Sequence, residues 1–415
     1  WLKVAQPYSS RLSQQGAVGK AQWGRRCSSP EVLAMKCQPF ESAASELVNE
    51  AAHPVEQLEV LDEKASELAT LGDTDAVIEC RIKQLALNKL LLFLYDFPIQ
   101  QLIRAEVTLA EAYAKGSYFK QAHEHLTRAH EISDGGLFDD AQCQRLQVDI
   151  LIAEGVVQLL EEQPETAHAS LTEAARVSRE AYGEMDVRSA RIHSLLGQIA
   201  QQGGHYNEAV DQFSAAWEVH EYVHGPEAED TIRLRMQIAE VEHLDGNAEE
   251  ALTTQHKVVK ELQRSGAFPV LLVDASAQLA RWLEAKGQDT EALEVLQAAE
   301  GIVSENLGTE DAKAVQIKRD VALLYLKIGD HDTALRYLND VHYFERRLHG
   351  SQSTSVARTL KALGTVHLVR RNIAEADNCL CQALRIFEAE YPPNVAIIKD
   401  IHAKLANIAG MSHAA

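Results

Sequence analysis

Two histidines and a glutamate have the spacing of a zinc-peptidase helix. His220, Glu221 and His224 match H-E-x-x-H, in which both histidines bind zinc and the glutamate is a general base. A catalytic zinc also needs a third protein ligand and an open position for water. Glu240 and Glu242 are the candidates for that third ligand, because no further histidine follows before a Gly-Pro pair ends the helix. A zinc hydrolase is therefore one hypothesis, and a solvated helix end is the interpretation that we favour.

Other groups with chemical potential are spaced unfavourably for catalysis. His123 and His125 are two residues apart, so on a helix they point in different directions and cannot share a metal. Cys379 and Cys381 have the same spacing. The chain contains no G-x-x-x-x-G-K-[ST] phosphate loop, no G-x-G-x-x-G after a strand and no G-x-S-x-G elbow. We therefore predict that the protein is not an enzyme and holds no cofactor or metal.

Small residues recur along most of the chain with a period of 41 or 42 residues. One series consists of alanines: Ala167, Ala209, Ala251, Ala292, Ala334 and Ala376. A second series, in phase with the first, consists of glycines: Gly183, Gly225, Gly266, Gly308 and Gly350. Two series in phase over this length indicate a repeat protein. The H-E-x-x-H string lies at the end of one such repeat, which is why we favour a solvated helix end there.

Each repeat has the pattern of two helices joined by a tight turn. In one repeat, Val321, Leu324 and Ile328 have helical spacing, and Gly329 then interrupts the pattern. Small alanines let two helix backbones approach closely, and a glycine after the last turn can adopt the left-handed conformation that ends a helix. One helix pair cannot bury its apolar face alone, so neighbouring pairs must stack.

The repeats resemble tetratricopeptide repeats of the 42-residue kind found in kinesin light chains. The residues that carry the resemblance are Leu196, Gly197, Ala209, Phe213 and Ala216 in one repeat, and Leu363, Gly364, Ala376, Leu380 and Ala383 in another. It covers about residues 100–391 and implies an all-α, right-handed superhelical solenoid of helix-turn-helix repeats with helical caps. The chain is also loosely similar to ciliary tetratricopeptide proteins. Because the matching residues are packing residues, the resemblance indicates a fold more strongly than a function.

The resemblance implies that the first helix of each repeat lines a concave groove. The basic residues expected on that face are Arg191, Arg233, Arg281, Arg319, Arg358 and Lys361. Arginine can contact a carboxylate with two hydrogen bonds, so the groove would receive an acidic partner. The alternative is that exposed helix positions simply often carry basic residues. The kinesin-light-chain mode of peptide binding does not transfer, because the groove asparagines of that family correspond here to Ser194, Met236, Ala277, Arg319 and Lys361.

Composition restricts the classes of partner. The net charge of −21 argues against general nucleic-acid binding. No apolar run approaches the 18 residues of a membrane-spanning helix. The six cysteines have no C-x-x-C and no framework spacing, which is typical of reduced thiols inside a cell.

The chain divides into four predicted regions. Residues 1–40 form a basic extended arm, residues 41–98 are atypical helices or a cap, residues 99–391 are a solenoid of about seven repeats, and residues 392–415 are a capping helix and tail. The first 30 positions of the arm contain no acidic residue, and the cations among them are Lys3, Arg11, Lys20, Arg25 and Arg26. Such an arm is typical of a mitochondrial presequence, of a native arm that binds a partner, or of a truncated start, since the chain begins with Trp1.

The function predicted from these patterns is a non-catalytic scaffold for protein–protein interaction. We expect a structural subunit of a larger assembly in the cytoplasm, such as a ciliary, axonemal or other cytoskeletal complex. The partners would be other proteins of that assembly, including acidic peptide segments or tubulin-like acidic surfaces. The alternative is a transient peptide or cargo adaptor that binds acidic segments in the arginine-lined groove. A mitochondrial location is the alternative that the basic arm leaves open.

Overall fold

The computed structural model describes residues 54–95, 97–135, 138–390 and 394–413, and these ranges contain helices and turns but no strand. The predicted all-α class is therefore confirmed. The chain forms two compact units, Trp1–Gly183 and Glu184–Ala415. The basic arm predicted for residues 1–40 lies outside the described residues.

The first unit contains six described helices, which pack in sequential order. They are α1 (Pro54–Thr70), α2 (Thr74–Tyr95), α3 (Ile99–Lys115), α4 (Phe119–Ser133), α5 (Asp140–Leu160) and α6 (Pro164–Tyr182). Each helix contacts the next one along the chain, and α3 also contacts α5. The unit is thus a stack of antiparallel helix pairs.

The second unit contains eleven described helices with the same arrangement. They are α7 (Val187–Gln202), α8 (Tyr206–His224), α9 (Glu229–Leu244), α10 (Ala248–Ser265), α11 (Pro269–Ala285), α12 (Asp289–Leu307), α13 (Ala312–Ile328), α14 (His331–His349), α15 (Thr354–Val369), α16 (Ile373–Ala389) and α17 (Val395–His413). The odd-numbered helices from α7 to α15 are the first helices of pairs, and α17 packs on the last pair through Ile401 and Ile408.

The alanines of the sequence repeat are the points where the second helix of each pair packs. Ala209, Ala251, Ala292, Ala334 and Ala376 all have an exposed fraction of 0%. Each begins the buried face of its helix, and a further buried apolar residue follows about one turn later in α8, α12, α14 and α16, as Phe213 does after Ala209. The helix pairs predicted from the 42-residue period are therefore confirmed.

Glycines on first helices let the two helices of a pair approach more closely still. A Cβ atom at Gly364 would lie 2.7 Å from Leu380 Cγ, and one at Gly197 would lie 2.9 Å from Phe213 Cδ1. Real Cβ atoms do not approach other atoms so closely, so a side chain at either position would force the paired helices apart. The Leu-Gly pairs of the sequence pattern are thus a requirement of packing.

The glycines that end the second helices adopt two conformations. Gly266 has φ 61° and ψ 4°, the left-handed conformation that the sequence predicts. Gly308 instead has φ 89° and ψ 157°, and Gly183, Gly225 and Gly350 are similar. For these four the prediction of a left-handed cap is wrong. Positive φ with extended ψ is open essentially to glycine alone, and it directs the chain from the end of one pair into the next.

Candidate functional site

The basic residues predicted to line a groove all lie on first helices of the second unit. Arg191 is on α7, Arg233 on α9, Arg281 on α11, Arg319 on α13, and Arg358 and Lys361 on α15. The side chains of Arg191, Arg233, Arg281 and Arg358 are exposed, whereas those of Arg319 and Lys361 are half-buried. The predicted set therefore divides into cations that face solvent and cations that pack between helices.

Arg319 is held by a buried carboxylate. Its Nη1 donates to Glu345 Oε1 on α14 at 3.0 Å, and Glu345 is only 2% exposed. The other carboxylate oxygen of Glu345 accepts from Thr359 Oγ1 on α15 at 2.7 Å. The three side chains join α13, α14 and α15, so the guanidinium of Arg319 contributes to the packing of adjacent pairs.

Two more of the predicted cations have intramolecular partners. Lys361 Nζ lies 2.7 Å from Asp400 Oδ2 on α17, and this hydrogen bond holds the pKa of Asp400 below its usual value. Arg233 Nε donates to Glu229 Oε1, one turn earlier on α9, at 3.1 Å. Because the Arg233 pair lies on the surface of a single helix, it contributes little stability and a partner could displace it.

Arg281 and Arg358 are exposed and form no ion pair with any described residue. Near Arg281 lies the carboxyl of Asp320, on the adjacent first helix α13. Burial raises the pKa of Asp320 to about 6, although the charges of Arg319 and Arg281 act in the opposite direction. These two arginines are the cations of the predicted set that a protein partner could reach without breaking an internal pair.

Acidic residues on the same helices balance much of the positive charge. Lys313 Nζ on α13 lies 2.8 Å from Asp274 on α11, and Lys327 Nζ lies 3.3 Å from Glu284 on α11. Glu284 and Asp320 were not among the residues predicted for this face. Glu284 lies three residues after the predicted Arg281 on the same helix, and this spacing was the available signal. The first helices of the second unit thus present mixed charge.

The two histidines of the H-E-x-x-H string lie close together at the end of α8. Their ring centroids are 5.5 Å apart, and burial lowers the pKa of His220. The described residues contain no group of three or more His, Cys, Asp or Glu side chains arranged to hold a metal ion. Neither Glu240 nor Glu242 therefore completes a zinc site with this pair.

His123 and His125 contact different carboxylates, and the two cysteines singled out in the sequence are not bonded to each other. His123 Nε2 lies 2.9 Å from Glu161, whereas His125 Nδ1 lies 2.6 Å from the buried Glu106. Cys379 and Cys381 are free thiols, and burial raises the pKa of each.

The cations of the amino-terminal arm, from Lys3 to Arg26, lie outside the described residues. None of the described helices is both long enough and apolar enough to span a bilayer.

Comparison with known proteins agrees with this architecture. Residues 314–389, which extend from the first turn of α13 to the end of α16, match the family model described as tetratricopeptide repeat. A TPR repeat-containing protein from Dictyostelium discoideum is 31% identical over 103 residues, which is 24% of this chain and 6% of that protein. The chain thus matches only a small part of that relative.

Solved structures are similar in fold at low sequence identity. One is a STAND-family signal-transduction ATPase with a tetratricopeptide repeat sensor from Pyrococcus horikoshii. It is 14% identical, covers 86% of this chain and 56% of its own, and has a TM-score of 0.55. Another, from Podospora anserina, is described as resembling a kinesin light chain and has nearly identical TPR-like repeats. It is 18% identical, covers 51% of this chain and 99% of its own, and has a TM-score of 0.41.

The fold and the family match agree over part of the chain. Residues 314–389 match tetratricopeptide repeats, and the described helices of the chain form all-α, stacked helix pairs. Repeats of this kind present extended surfaces to other proteins. The protein therefore has the architecture of a protein–protein interaction scaffold.

Proposed function

We propose that this chain is a non-catalytic scaffold that serves as a structural subunit of a larger protein assembly. The observation that supports it is that each repeat uses one set of residues for packing and leaves a different set exposed. The residues that carry the tetratricopeptide pattern are buried in packing, as Ala334 and Leu338 are. Other positions of the first helices carry exposed charged groups such as Arg281 and Arg358. A stack of this kind offers a binding surface along many helices at once.

The setting that we propose is the cytoplasm, within a cytoskeletal, ciliary or axonemal complex. The support for it is the resemblance of the 42-residue repeats to those of kinesin light chains and of ciliary tetratricopeptide proteins. The basic arm of residues 1–40 would make an additional contact with an acidic partner surface, through Lys3, Arg11, Lys20, Arg25 and Arg26. A mitochondrial complex is the alternative setting, since a basic arm whose first 30 residues include no acid is also typical of a presequence.

Gentle purification of the tagged protein from its own cells, with chemical cross-linking and mass spectrometry, tests the proposal. Salt is raised stepwise during extraction. A structural subunit is recovered with a fixed set of partners that resists salt, and the identity of those partners gives the compartment. Recovery as a free monomer at every salt concentration would contradict the proposal.

A transient adaptor for acidic segments is the second candidate, and the exposed, unpaired state of Arg281 and Arg358 favours it. The arginines can offer bidentate hydrogen bonds to a carboxylate without giving up an internal partner. This function predicts one or two partners that dissociate as salt is raised.

Charge reversal distinguishes the two candidates. The double variant Arg281→Glu/Arg358→Glu should release the partner of an adaptor. The matched control is Arg264→Glu/Arg385→Glu, which makes the same change of charge at exposed positions on the second helices α10 and α16. Equal loss of the partner in both variants would indicate a general effect of charge and contradict a specific role of the first helices.

A further inference from the structure

Gly301 interrupts a row of long side chains. It lies inside α12, at a position where the other second helices carry Arg176, Glu218, Lys260, Tyr343 and Arg385 at intervals of 41 or 42 residues. Glycine inside a helix is less favourable than alanine by about 1 kcal/mol. A Cβ atom at Gly301 would meet no other atom within 4 Å, so close packing does not explain this glycine.

An open cavity of about 420 Å³ lies at this position, and we call it the Gly301 cavity. It is formed by one helix pair and the next: α12 on one side, and α13 and α14 on the other. Its lining residues are Gln297, Glu300, Gly301, Ser304, Thr309, Lys318 and Tyr337. It lies within the second unit and includes residues of the second helices α12 and α14, whereas Arg281 and Arg358 lie on first helices.

The polar groups of the Gly301 cavity include both hydrogen-bond donors and acceptors. Glu300 Oε2 accepts a hydrogen bond from the Tyr337 hydroxyl at 3.2 Å, which leaves its second oxygen able to accept another. Burial is the main cause that raises the pKa of Tyr337 to about 12, so this hydroxyl keeps its proton at neutral pH. Lys318 Nζ can only donate hydrogen bonds, because an ammonium group has no acceptor, whereas the carboxylate of Glu300 accepts them.

Two of the donors are poorly used within the protein. Ser304 Oγ is buried and has no hydrogen-bond partner among the described residues. Such a group is costly to bury, and in native proteins it usually finds a partner. Lys318 Nζ has one long hydrogen bond, 3.4 Å to the carbonyl oxygen of Thr309, and lies 5.5 Å from the centre of the Phe344 ring. Lys318 is therefore placed to bind an acceptor that enters the cavity, and the Ser304 hydroxyl would reach the same acceptor after rotation about χ1.

We propose that the Gly301 cavity binds the side-chain carboxamide of a glutamine or asparagine from a partner protein. The amide oxygen would accept from Lys318 and Ser304, and the amide nitrogen would donate to Glu300. The absent side chain at Gly301 provides the space that the bound group occupies. This assignment rests on the proposed role as a protein scaffold, to which it adds a side-chain preference and a second binding surface.

The charges at the cavity disfavour the two other kinds of polar side chain, a carboxylate and a cation. A carboxylate would be attracted by Lys318 but would lie beside Glu300 and leave its acceptor capacity unused. An ammonium or guanidinium group would pair with Glu300 but would lie beside Lys318. A carboxamide is neutral and carries two N–H donors and a carbonyl acceptor, so it can serve both sides of the cavity.

Selection from a phage-displayed library of random linear peptides on the full-length protein tests the proposal. Gly301→Tyr is the blocking variant, because tyrosine occupies the corresponding position 343 in the next repeat. Gly301→Ala is the matched control, since a methyl group meets no atom there and leaves most of the cavity open. We expect peptides that share a glutamine or asparagine, that bind the wild type and Gly301→Ala equally, and that bind Gly301→Tyr at least tenfold more weakly.

The contributing groups are then tested with a selected peptide. Lys318→Met should weaken binding by about tenfold or more, since hydrogen bonds to charged groups contribute about 1.5–3 kcal/mol. The variant Arg281→Glu/Arg358→Glu should leave peptide binding unchanged. Failure at the cavity is therefore distinguishable from failure of the assembly role, which co-purification measures.

Three results would overturn the assignment. These are selected peptides that share an acidic or basic residue in place of an amide, binding that survives Gly301→Tyr, and a selection that enriches no common sequence.

Discussion

Substitution of glycine by alanine should have opposite effects on helix stability at two positions of the second unit. Gly364 on α15 lies against the paired helix, with a Cβ position 2.7 Å from Leu380 Cγ and 3.3 Å from the carbonyl oxygen of Ala376. Gly301 on α12 has no atom within 4 Å of its Cβ position. Because both glycines lie inside helices, the gain in intrinsic helix stability is the same for both, about 1 kcal/mol.

The difference comes from packing. Leu380 has an exposed fraction of 0%, so it cannot move outward to admit a methyl group at Gly364. Overpacking of a well-packed core costs about 1–3 kcal/mol. The cost at Gly364 lies in the upper part of this range, because a Cβ atom there would be only 2.7 Å from Leu380 Cγ. We therefore expect Gly364→Ala to destabilise α15 and α16 by about 1–2 kcal/mol after the helix gain is subtracted. Gly301→Ala should stabilise α12 by about 1 kcal/mol.

Amide hydrogen exchange is the suitable measurement, because it reports the free energy of local opening helix by helix. A single unfolding midpoint would be less informative, since long repeat arrays often depart from two-state unfolding. We expect protection of α15 and α16 to fall in Gly364→Ala, and protection of α12 to rise in Gly301→Ala. Increased or unchanged protection in Gly364→Ala would refute the packing argument.

Two further predictions concern charged groups in the second unit. Arg319→Met should destabilise the contact between α13 and α14 by about 3–5 kcal/mol, because it leaves the carboxylate of Glu345 buried without its cation. The double variant Arg319→Met/Glu345→Leu should recover most of that loss, as measured by hydrogen exchange in a double-mutant cycle. Asp320→Asn should stabilise the second unit at pH 7 by up to about 3 kcal/mol and have little effect at pH 4. The folded pKa of Asp320, about 6, lies above its ordinary value of 3.8, so the folded state binds more protons between these values and loses stability as pH rises through them.

A specific result would contradict each of these two predictions. An unchanged opening free energy in Arg319→Met would show that the guanidinium is not needed to hold Glu345. For Asp320, the matched control is Asp340→Asn at an exposed position of α14. Equal pH dependence of the two asparagine variants would show that Asp320 is not the group whose titration changes stability.

Much of the fold could be predicted from the sequence. The alanine series identified the residues through which each second helix packs, because close contact between helices admits only a small side chain. Leu363 and Gly364 were likewise recognised as packing residues. The structure places Gly364 against Leu380 of α16 and Leu363 in a buried cluster with Leu338 of α14. Hydrophobic periodicity is a property of one helix and its neighbour in sequence, so it can be read without knowing the rest of the molecule.

The candidate site was predicted less completely. Helical spacing placed six basic residues on first helices, but it could not distinguish Arg319, which is bound to Glu345, from Arg358, which is not. Gly301 was not among the predicted site residues, although its place in the repeat was a visible signal. Aligning the repeats shows that Gly301 has no side chain where the other second helices have a long one. Whether a cavity results depends on α13 and α14, which could have filled the space beside Gly301 and do not.

By itself the sequence determined the helix pairs and their stacking, because a period of 41 or 42 residues with helical spacing inside it admits little else. Only the tertiary structure decided which charged groups remain available to a partner. Arg319 and Glu345 are 26 residues apart and lie on different helices, so their pairing depends on how α13 and α14 pack. The same packing holds Lys318 and Ser304 at one cavity. Packing geometry, which brings together residues that no local pattern connects, therefore selects Arg281, Arg358 and the Gly301 cavity as the surfaces to test.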